Sequence, residues 1–374
     1  MNALGIPLID CDIHQNEPDA ETLYACIEEP YQREIRKQGP RPMGSGIRFE
    51  DGGLRRELIQ DDGKHGGNHY PILKKELLDR YGHRFGLLSS STHATSGQPD
   101  PDYAMALARA YNKMTADHWL PQDDRLMMAV TAAAQDPVAS AREIEAWAGH
   151  PQVKAVAMAA TAGRTPLGHR WFWPLFEACE KHGLPLHLHP STTAVIANHA
   201  SMASGMATNY LQSHCALPQF YQSDLISLVL EGTFERFPGL KVMMIEGGVT
   251  WLAHLLWRMD KEFKGLRHQA PLLKRLPSDY VRDHIVLGSQ PLEEPDRPRQ
   301  LVQLFDMIGA DDLVVYCSDF PHFDFDPPDV LRAFPEESLK KILHDNAARL
   351  FGLPTLEELE AESATPEVES AGQA

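Results

Sequence analysis

No run of the chain approaches the ~18–20 consecutive apolar residues that a membrane-crossing helix needs, so no membrane span is expected. Cations are scarce as well. Lys and Arg number 35 against 52 Asp and Glu, for a formal net charge of -17, and no basic stripe is present to track phosphates; nucleic acid is not an expected partner. Cys11, Cys26, Cys179, Cys215 and Cys317 lie far apart with no CxxC pair, which excludes a disulfide framework and reads as free thiols in a reducing compartment. The N-terminus, MNALGIPLIDCDIH, has neither a basic n-region nor a long apolar h-region, so no secretory leader is expected and the expected location is cytoplasmic. Internal repeats are missing too, which disfavours a solenoid or propeller.

What is present is an ordinary globular composition, 43% hydrophobic and 23% charged, in which short β-branched runs alternate with longer amphipathic segments. Eight strands are predicted: Pro7–Ile13, His83–Leu88, Arg125–Ala132, Val153–Ala157, Leu184–Leu188, Leu240–Ile245, His284–Leu287 and Asp312–Cys317. Helical spacing appears between them, at Asp102–Trp119, Pro137–Gly149, Trp171–His182, Tyr221–Phe237, Trp251–Phe263 and Arg297–Ile308. The pattern predicts an α/β fold, a (β/α)8 TIM barrel over residues 1–353. Two long connections interrupt it. Residues 16–80, rich in Gly, Pro and charge, read as a lid or interface insertion, and Pro190–Leu217 carries His199, Asn209 and His214. Residues 354–374 read as an acidic tail without structure.

Acids and imidazoles recur at the C-terminal ends of predicted strands, the face on which such barrels carry their active sites. Asp12 and His14 close the first strand two residues apart, so both point the same way and can grip one ion. His187 and His189 close the fifth. His189, nearer the mouth, is the expected ligand, and His187 is read as a structural histidine one layer deeper. Glu246 ends the sixth strand before Gly247 and Gly248; buried there, its pKa is expected to rise toward the working pH and make it a proton shuttle, the other reading being a carboxylate salt-bridged to a neighbouring strand. Asp319 follows the eighth strand, where it can bind the ion and polarise a bound water. His322, Asp324 and Asp326 lie in the next loop, as pocket lining or as solvated turn formers.

Together the pieces IDCDIH, LPLHLHPS, MIEGG, YCSDFPH and KKILHDNAARLFGL, in this order from residue 7 to about residue 353, resemble amidohydrolase family 2. The resemblance implies a distorted (β/α)8 barrel with one divalent metal ion held by Asp12, His14, His189 and Asp319. Two departures stand out: the first strand carries DxH where many members have HxH or ExH, and Glu246 replaces the family's sixth-strand histidine. Mixed carboxylate and imidazole ligands suit Zn, Fe or Mn.

Three acids, Asp12, Glu246 and Asp319, would repel a carboxylate substrate unless the metal or Arg170 offsets them. The reading therefore favours a hydrolase that uses metal-activated water on an amide, ester, thioester or activated C–C bond. Glu246 or Asp319 takes the proton, His214 stabilises the oxyanion, and Trp251, Phe320 and Phe323 meet a partly hydrophobic or aromatic small-molecule substrate. The alternatives are a metal-dependent non-oxidative decarboxylase of an aromatic or unsaturated acid, and a catalytically silent barrel acting as a binding protein. A homodimer is compatible with the insertion but not demanded by it.

Overall fold

The first strand shows how the barrel is specified. The segment Leu8–Ile13 (β1) is buried along its whole length, as a strand with helices outside and side chains inside must be. The remaining strands are His83–Leu88 (β2), Leu126–Thr131 (β3), Val153–Ala159 (β4), Leu186–His189 (β5), Val242–Met244 (β6), Ile285–Gly288 (β7) and Val314–Val315 (β8). The structure, a computed structural model, describes residues 3–41, 53–89, 92–160, 165–191 and 207–364. All eight strands are parallel in the order β1 to β8, with helices between them, and form a nearly closed barrel. The seam between β8 and β1 is bridged by single hydrogen bonds: Cys11 N to Tyr316 O (2.9 Å), Asp319 N to Asp12 O (3.1 Å) and His14 N to Phe320 O (2.8 Å). That seam brings the two ends of the chain's site together.

Side-chain alternation divides the core in two. Ile9, Cys11, Met127, Ala129, Ala155, Ala157, Met243, Ile245, Val315 and Cys317 fill the interior, closed off by Ala347, Ala348 and Phe351. Leu8, Ile13, Leu126, Met128, Leu186 and Leu188 face the surrounding helices. Cys11 and Ile13, two residues apart, thus fall in different layers. A register shift between Asp10 and Ile13 accounts for it: the extra residue changes the strand's parity, so that Asp12 and His14 turn toward the mouth.

Several helices are set by local signals. Asp100 and Asp136 cap Pro101–Met114 and Pro137–Trp147 by accepting backbone N–H groups, with proline in the first turn of each. Where one helix is expected over Tyr221–Phe237, the structure has Leu217–Leu230 and then Thr233–Arg236, because Gly232 at φ +76° interrupts the run. The 16–80 connection is more ordered than its composition suggests, with helices at Ala20–Cys26, Tyr31–Gln38 and Tyr70–Leu73, the last continuing as a π-helical turn, Lys74–Asp79. Part of it runs along the mouth. Leu54 bridges to His322, and Arg55 N donates to Pro321 O at 2.9 Å.

The acidic tail departs from expectation: Leu356–Ala364 is a helix. The Thr355 hydroxyl and Glu358 carboxylate cap it reciprocally, and Asp345 accepts from Leu356 N at 2.9 Å, anchoring a segment that its charge alone would leave in solvent. The rest of that tail and His199 lie outside the described residues. All five cysteines are free, and among the described residues no helix is long and apolar enough to cross a membrane.

Candidate metal centre

Asp12 and His14 from β1, His189 from β5 and Asp319 just beyond β8 meet at the C-terminal end of the barrel. All are buried, and their ligand atoms lie within 4.8 Å of one another. His14 Nε2 is 2.8 Å from Asp319 Oδ1 and 3.5 Å from Asp12 Oδ2, and His189 Nε2 is 3.7 Å from Asp12 Oδ2. Despite this crowding, Asp12 Oδ2, His14 Nε2 and His189 Nε2 have no hydrogen-bond partner in acceptable geometry. Buried polar atoms are seldom left so, because each forfeits its hydration without compensation. A divalent cation satisfies all of them at once, and a set of two imidazoles and two carboxylates suits a mixed N/O metal ion.

The other atoms of these side chains hold them in position. Asp12 Oδ1 accepts from the Ser89 hydroxyl. His189 Nδ1 lies 2.8 Å from Pro190 O; an N–H there leaves Nε2 with a free lone pair facing the centre. Asp319 Oδ2 accepts from Gln290 Nε2 at 3.2 Å, and Asp319 Oδ1 lies 2.7 Å from His322 Nδ1. The group is thus a buried Asp-His-His-Asp site that can bind one divalent metal ion.

Two side chains at the mouth are presented by unusual backbone. Glu246 and Asp319 are the only described non-glycine residues at positive φ, +58° and +57°, a conformation that costs of order 1–3 kcal/mol and so is kept only where packing over-determines it. For Glu246 the packing is visible. A Cβ on the following Gly247 would fall 2.4 Å from the Tyr221 ring. Tyr221 in turn donates its hydroxyl to Ile245 O, and Glu293 accepts from Val249 N (3.0 Å) and Thr250 N (2.7 Å), pinning the chain as it enters the helix Trp251–Leu266.

The pKa expectation for Glu246 is reversed. Burial raises its carboxyl, but His189 Nε2, 3.0 Å from Oε2, and His214 Nε2, 3.3 Å from Oε1, outweigh it and hold the group down at about 2. The partners shift the other way: burial lowers His189, yet Asp12 and Glu246 push it up to about 10. Asp12 follows the same logic, burial being outweighed by His14 and His189, which hold it well below the usual carboxylate range. Asp319 is the acid that goes up, through burial reinforced by Glu246, Asp324 and Asp12.

Of the other expected site residues, His214 faces Glu246 and also lies 3.2 Å from Asp324 Oδ2, while the His322 ring packs 4.2 Å from that of His14. His187 Nε2 lies 3.1 Å from Cys11 O, and its ring is parallel to that of His189 at 6.3 Å. Trp251 is buried beside the mouth, donating Nε1 to Gly248 O and stacking on Tyr221, so it buttresses the Glu246 turn. Phe320 is buried, whereas Phe323 is 53% exposed and lies 5.8 Å from the His214 ring. Arg170 is not gathered in. It is exposed and has no ion-pair partner among the described residues, so it does not offset the acids. Gln290 and Ser89 are the side chains that sequence reasoning passed over, and Asp324 reads from sequence as either pocket lining or a turn former. Gln290 and Ser89 carry no charge pattern, and only the fold puts Gln290 Nε2 2.8 Å from Asp324 Oδ2.

Comparison with known proteins agrees with the fold and corrects the chemistry. The family model described as amidohydrolase matches residues 9–353. The γ-resorcylate decarboxylase of Rhodococcus jostii is 23% identical over 299 residues, covering 75% of this chain and 87% of its own. Among solved structures, the 5-carboxyvanillate decarboxylase of Novosphingobium aromaticivorans, with manganese and 3-methoxy-4-hydroxy-5-nitrobenzoic acid, superposes with a TM-score of 0.68 at 20% identity over 94% of this chain and 98% of that one. The dihydroxybenzoic acid decarboxylase of a Polaromonas species, with manganese and 2-nitroresorcinol, gives 0.63 at 21% identity over 96% and 99%.

These relatives overturn the hydrolase expectation, since they are decarboxylases. The repulsion on which that expectation rested counted Asp12, Glu246 and Asp319 as unpartnered charges, whereas each faces an imidazole. With a match running from β1 through the helix that closes the barrel, the chain belongs to the amidohydrolase family and is an enzyme of the amidohydrolase superfamily.

Proposed function

We propose that this enzyme is a metal-dependent, non-oxidative decarboxylase of an aromatic acid, a benzoate carrying a hydroxyl beside the carboxylate. The observation that carries the reading is the buried Asp12, His14, His189 and Asp319 group with its unsatisfied ligand atoms, on a chain whose relatives with this activity align over most of their length. Those four residues would hold the ion, manganese being the metal found in two of the related structures. When bound, it supplies Lewis acidity toward the carboxylate and phenolic oxygens.

The chain's own residues supply the proton. Decarboxylation of an aryl acid requires protonation of the ring carbon that bears the carboxylate; the C–C bond then breaks, carbon dioxide leaves, and the electron pair returns to the ring. Asp319 is the donor in this reading. It is itself one of the four residues that would hold the ion, and His322, 27% exposed at its side chain and 2.7 Å away, connects it to solvent for reprotonation. The run Gly53–Arg55 against residues 320–323 supports a covering role for the insertion, keeping water from the ring carbon.

Manganese-loaded enzyme incubated with 2,6-dihydroxybenzoate and with 5-carboxyvanillate in D2O tests the reading. Carbon dioxide release with one deuteron on the ring is expected. A product that retains the carboxyl carbon, or no turnover of any hydroxybenzoate tried, would overturn it.

A further inference from the structure

We propose that Asp10 is a positioning residue for the metal centre, its buried carboxylate fixing the Asp12 and Asp319 ligands relative to each other across the seam of the barrel. The inference rests on the metal-dependent reading of the Asp12, His14, His189 and Asp319 group and names what holds that group in register. Asp10 is wholly buried and is not one of the four grouped ligands.

Both backbone N–H groups that Asp10 accepts lead into a ligand. Oδ1 takes Asp12 N at 3.1 Å and Ser318 N, of the residue before Asp319, at 3.0 Å. The local geometry shows why a side chain is needed there. The register shift between Asp10 and Ile13 places an extra residue in β1, which leaves an N–H outside the ladder, and β8 ends at Val315, so Ser318 lies past its own. Across the same seam Asp319 N donates to Asp12 O at 3.1 Å. One carboxylate oxygen and one backbone bond thus tie the two ligand-bearing segments at adjacent points. Asp319 has particular need of this, because its φ of +57° persists only where the surrounding contacts over-determine it.

The other oxygen is held from β2. His83 Nε2 lies 3.2 Å from Asp10 Oδ2, with both side chains fully buried, and His83 Nδ1 has no hydrogen-bond partner. An apolar side chain would fill this space without the cost of burying a charge. A carboxylate surrounded by three donors, two of them on ligand-bearing backbone, is instead the kind of support that orients metal ligands from one layer behind.

Manganese titration of chelator-stripped Asp10→Ala, reading free Mn2+ by EPR well below the unfolding temperature, tests the proposal. The dissociation constant should rise about 10–100-fold, the range for lost orienting partners, and the spectrum of the bound ion should change. Asp10→Asn keeps an acceptor oxygen for both N–H groups and should recover most of the affinity. Phe305→Leu alters the outer helical layer, where Phe305 packs on Phe334, and should lower Tm while leaving manganese affinity native. Native affinity and spectrum in Asp10→Ala, or an equal loss of affinity in Phe305→Leu, overturns the positioning role and leaves the decarboxylase reading standing. No manganese uptake by the native chain overturns both. Should Asp10→Ala not fold, His83→Phe decides, since it keeps the ring volume but frees Asp10 Oδ2: weaker manganese binding is expected, and native affinity overturns the proposal.

Discussion

His189 Nε2 stands 3.0 Å from Glu246 Oε2 and 3.7 Å from Asp12 Oδ2, while its other nitrogen faces Pro190 O at 2.8 Å. One imidazole therefore separates two buried acids and is locked in orientation by the backbone. His189→Ala removes the imidazole the two acids share, leaving Glu246 with His214 and Asp12 with His14. Breaking such a buried pair costs about 3–5 kcal/mol, so urea unfolding in the presence of EDTA should show a loss of that order. An unchanged midpoint would mean that both carboxylates are protonated and the imidazole is dispensable.

Metal should stabilise the fold through the same group. An ion present at 100 times its dissociation constant adds about 2.7 kcal/mol, so chelation should lower Tm and manganese should restore it. Ser89 donates to Asp12 Oδ1 without being a ligand itself. Ser89→Ala should weaken manganese binding by roughly 10–100-fold, the range for lost ligand-orienting partners, with little change in the Tm of the chelated protein. Equal Mn2+ affinity in the variant would show that Asp12 is held by the fold alone.

Residues whose chemistry follows from a strand end were legible in the sequence. Asp12, His14, His189 and Asp319 each lie at or just past a strand end, which places them at the mouth; what aims them, a register shift in β1 and a positive φ at Asp319, was not legible. Residues whose roles depend on three-dimensional neighbours were not. The direction of the Glu246 shift depends on His189 and His214, which lie 57 and 32 residues away in sequence, and a sign drawn from burial alone comes out reversed. Asp324 and Gln290 meet only because the loop after β8 folds back over the end of β7. Arg170 failed for the converse reason: its charge fitted the need, but its position on the surface does not.

Gly247 should tolerate no side chain. A Cβ there would meet Tyr221 Cδ2 at 2.4 Å, and Tyr221 is fully buried with its hydroxyl bound to Ile245 O. Gly247→Ala should destabilise by about 1–3 kcal/mol through overpacking and, by displacing Glu246, weaken metal binding as well. Denaturant unfolding and an Mn2+ titration of the same variant check both. Wild-type values in the two measurements would mean that the Glu246 turn can relax without cost.

Stability should fall on mild acidification for a reason remote from the metal. Burial depresses the pKa of His284, against its hydrogen bond to Leu240 O at 2.8 Å, and its ring stacks on Phe234 at 4.4 Å. The unfolded chain thus binds its proton at a higher pH than the folded one. The contribution is fully present above the unfolded value near 6.5 and is lost as pH falls from there toward the depressed folded value. Tm measured from pH 7.5 to 5.5 should drop less steeply in His284→Asn than in the native chain. Parallel curves would assign the acid sensitivity to other groups.

On the proposed decarboxylase reading, His322 separates proton delivery from metal binding. Its Nδ1 lies 2.7 Å from Asp319 Oδ1, its ring packs at 4.2 Å on His14, and it is not one of the four grouped ligands. His322→Gln keeps a polar group of similar reach but cannot relay a proton. Loss of positioned acid–base catalysis typically costs about 10²–10⁴-fold, so kcat for decarboxylation should fall within that range while KM and manganese content stay near native values. A matching rise in KM would instead place His322 against the substrate. Lost manganese would make it a ligand. Asp319→Asn should behave differently from His322→Gln, because it changes a metal ligand and the proton donor together: activity and metal affinity should fall in the same variant, and added manganese should not rescue the rate.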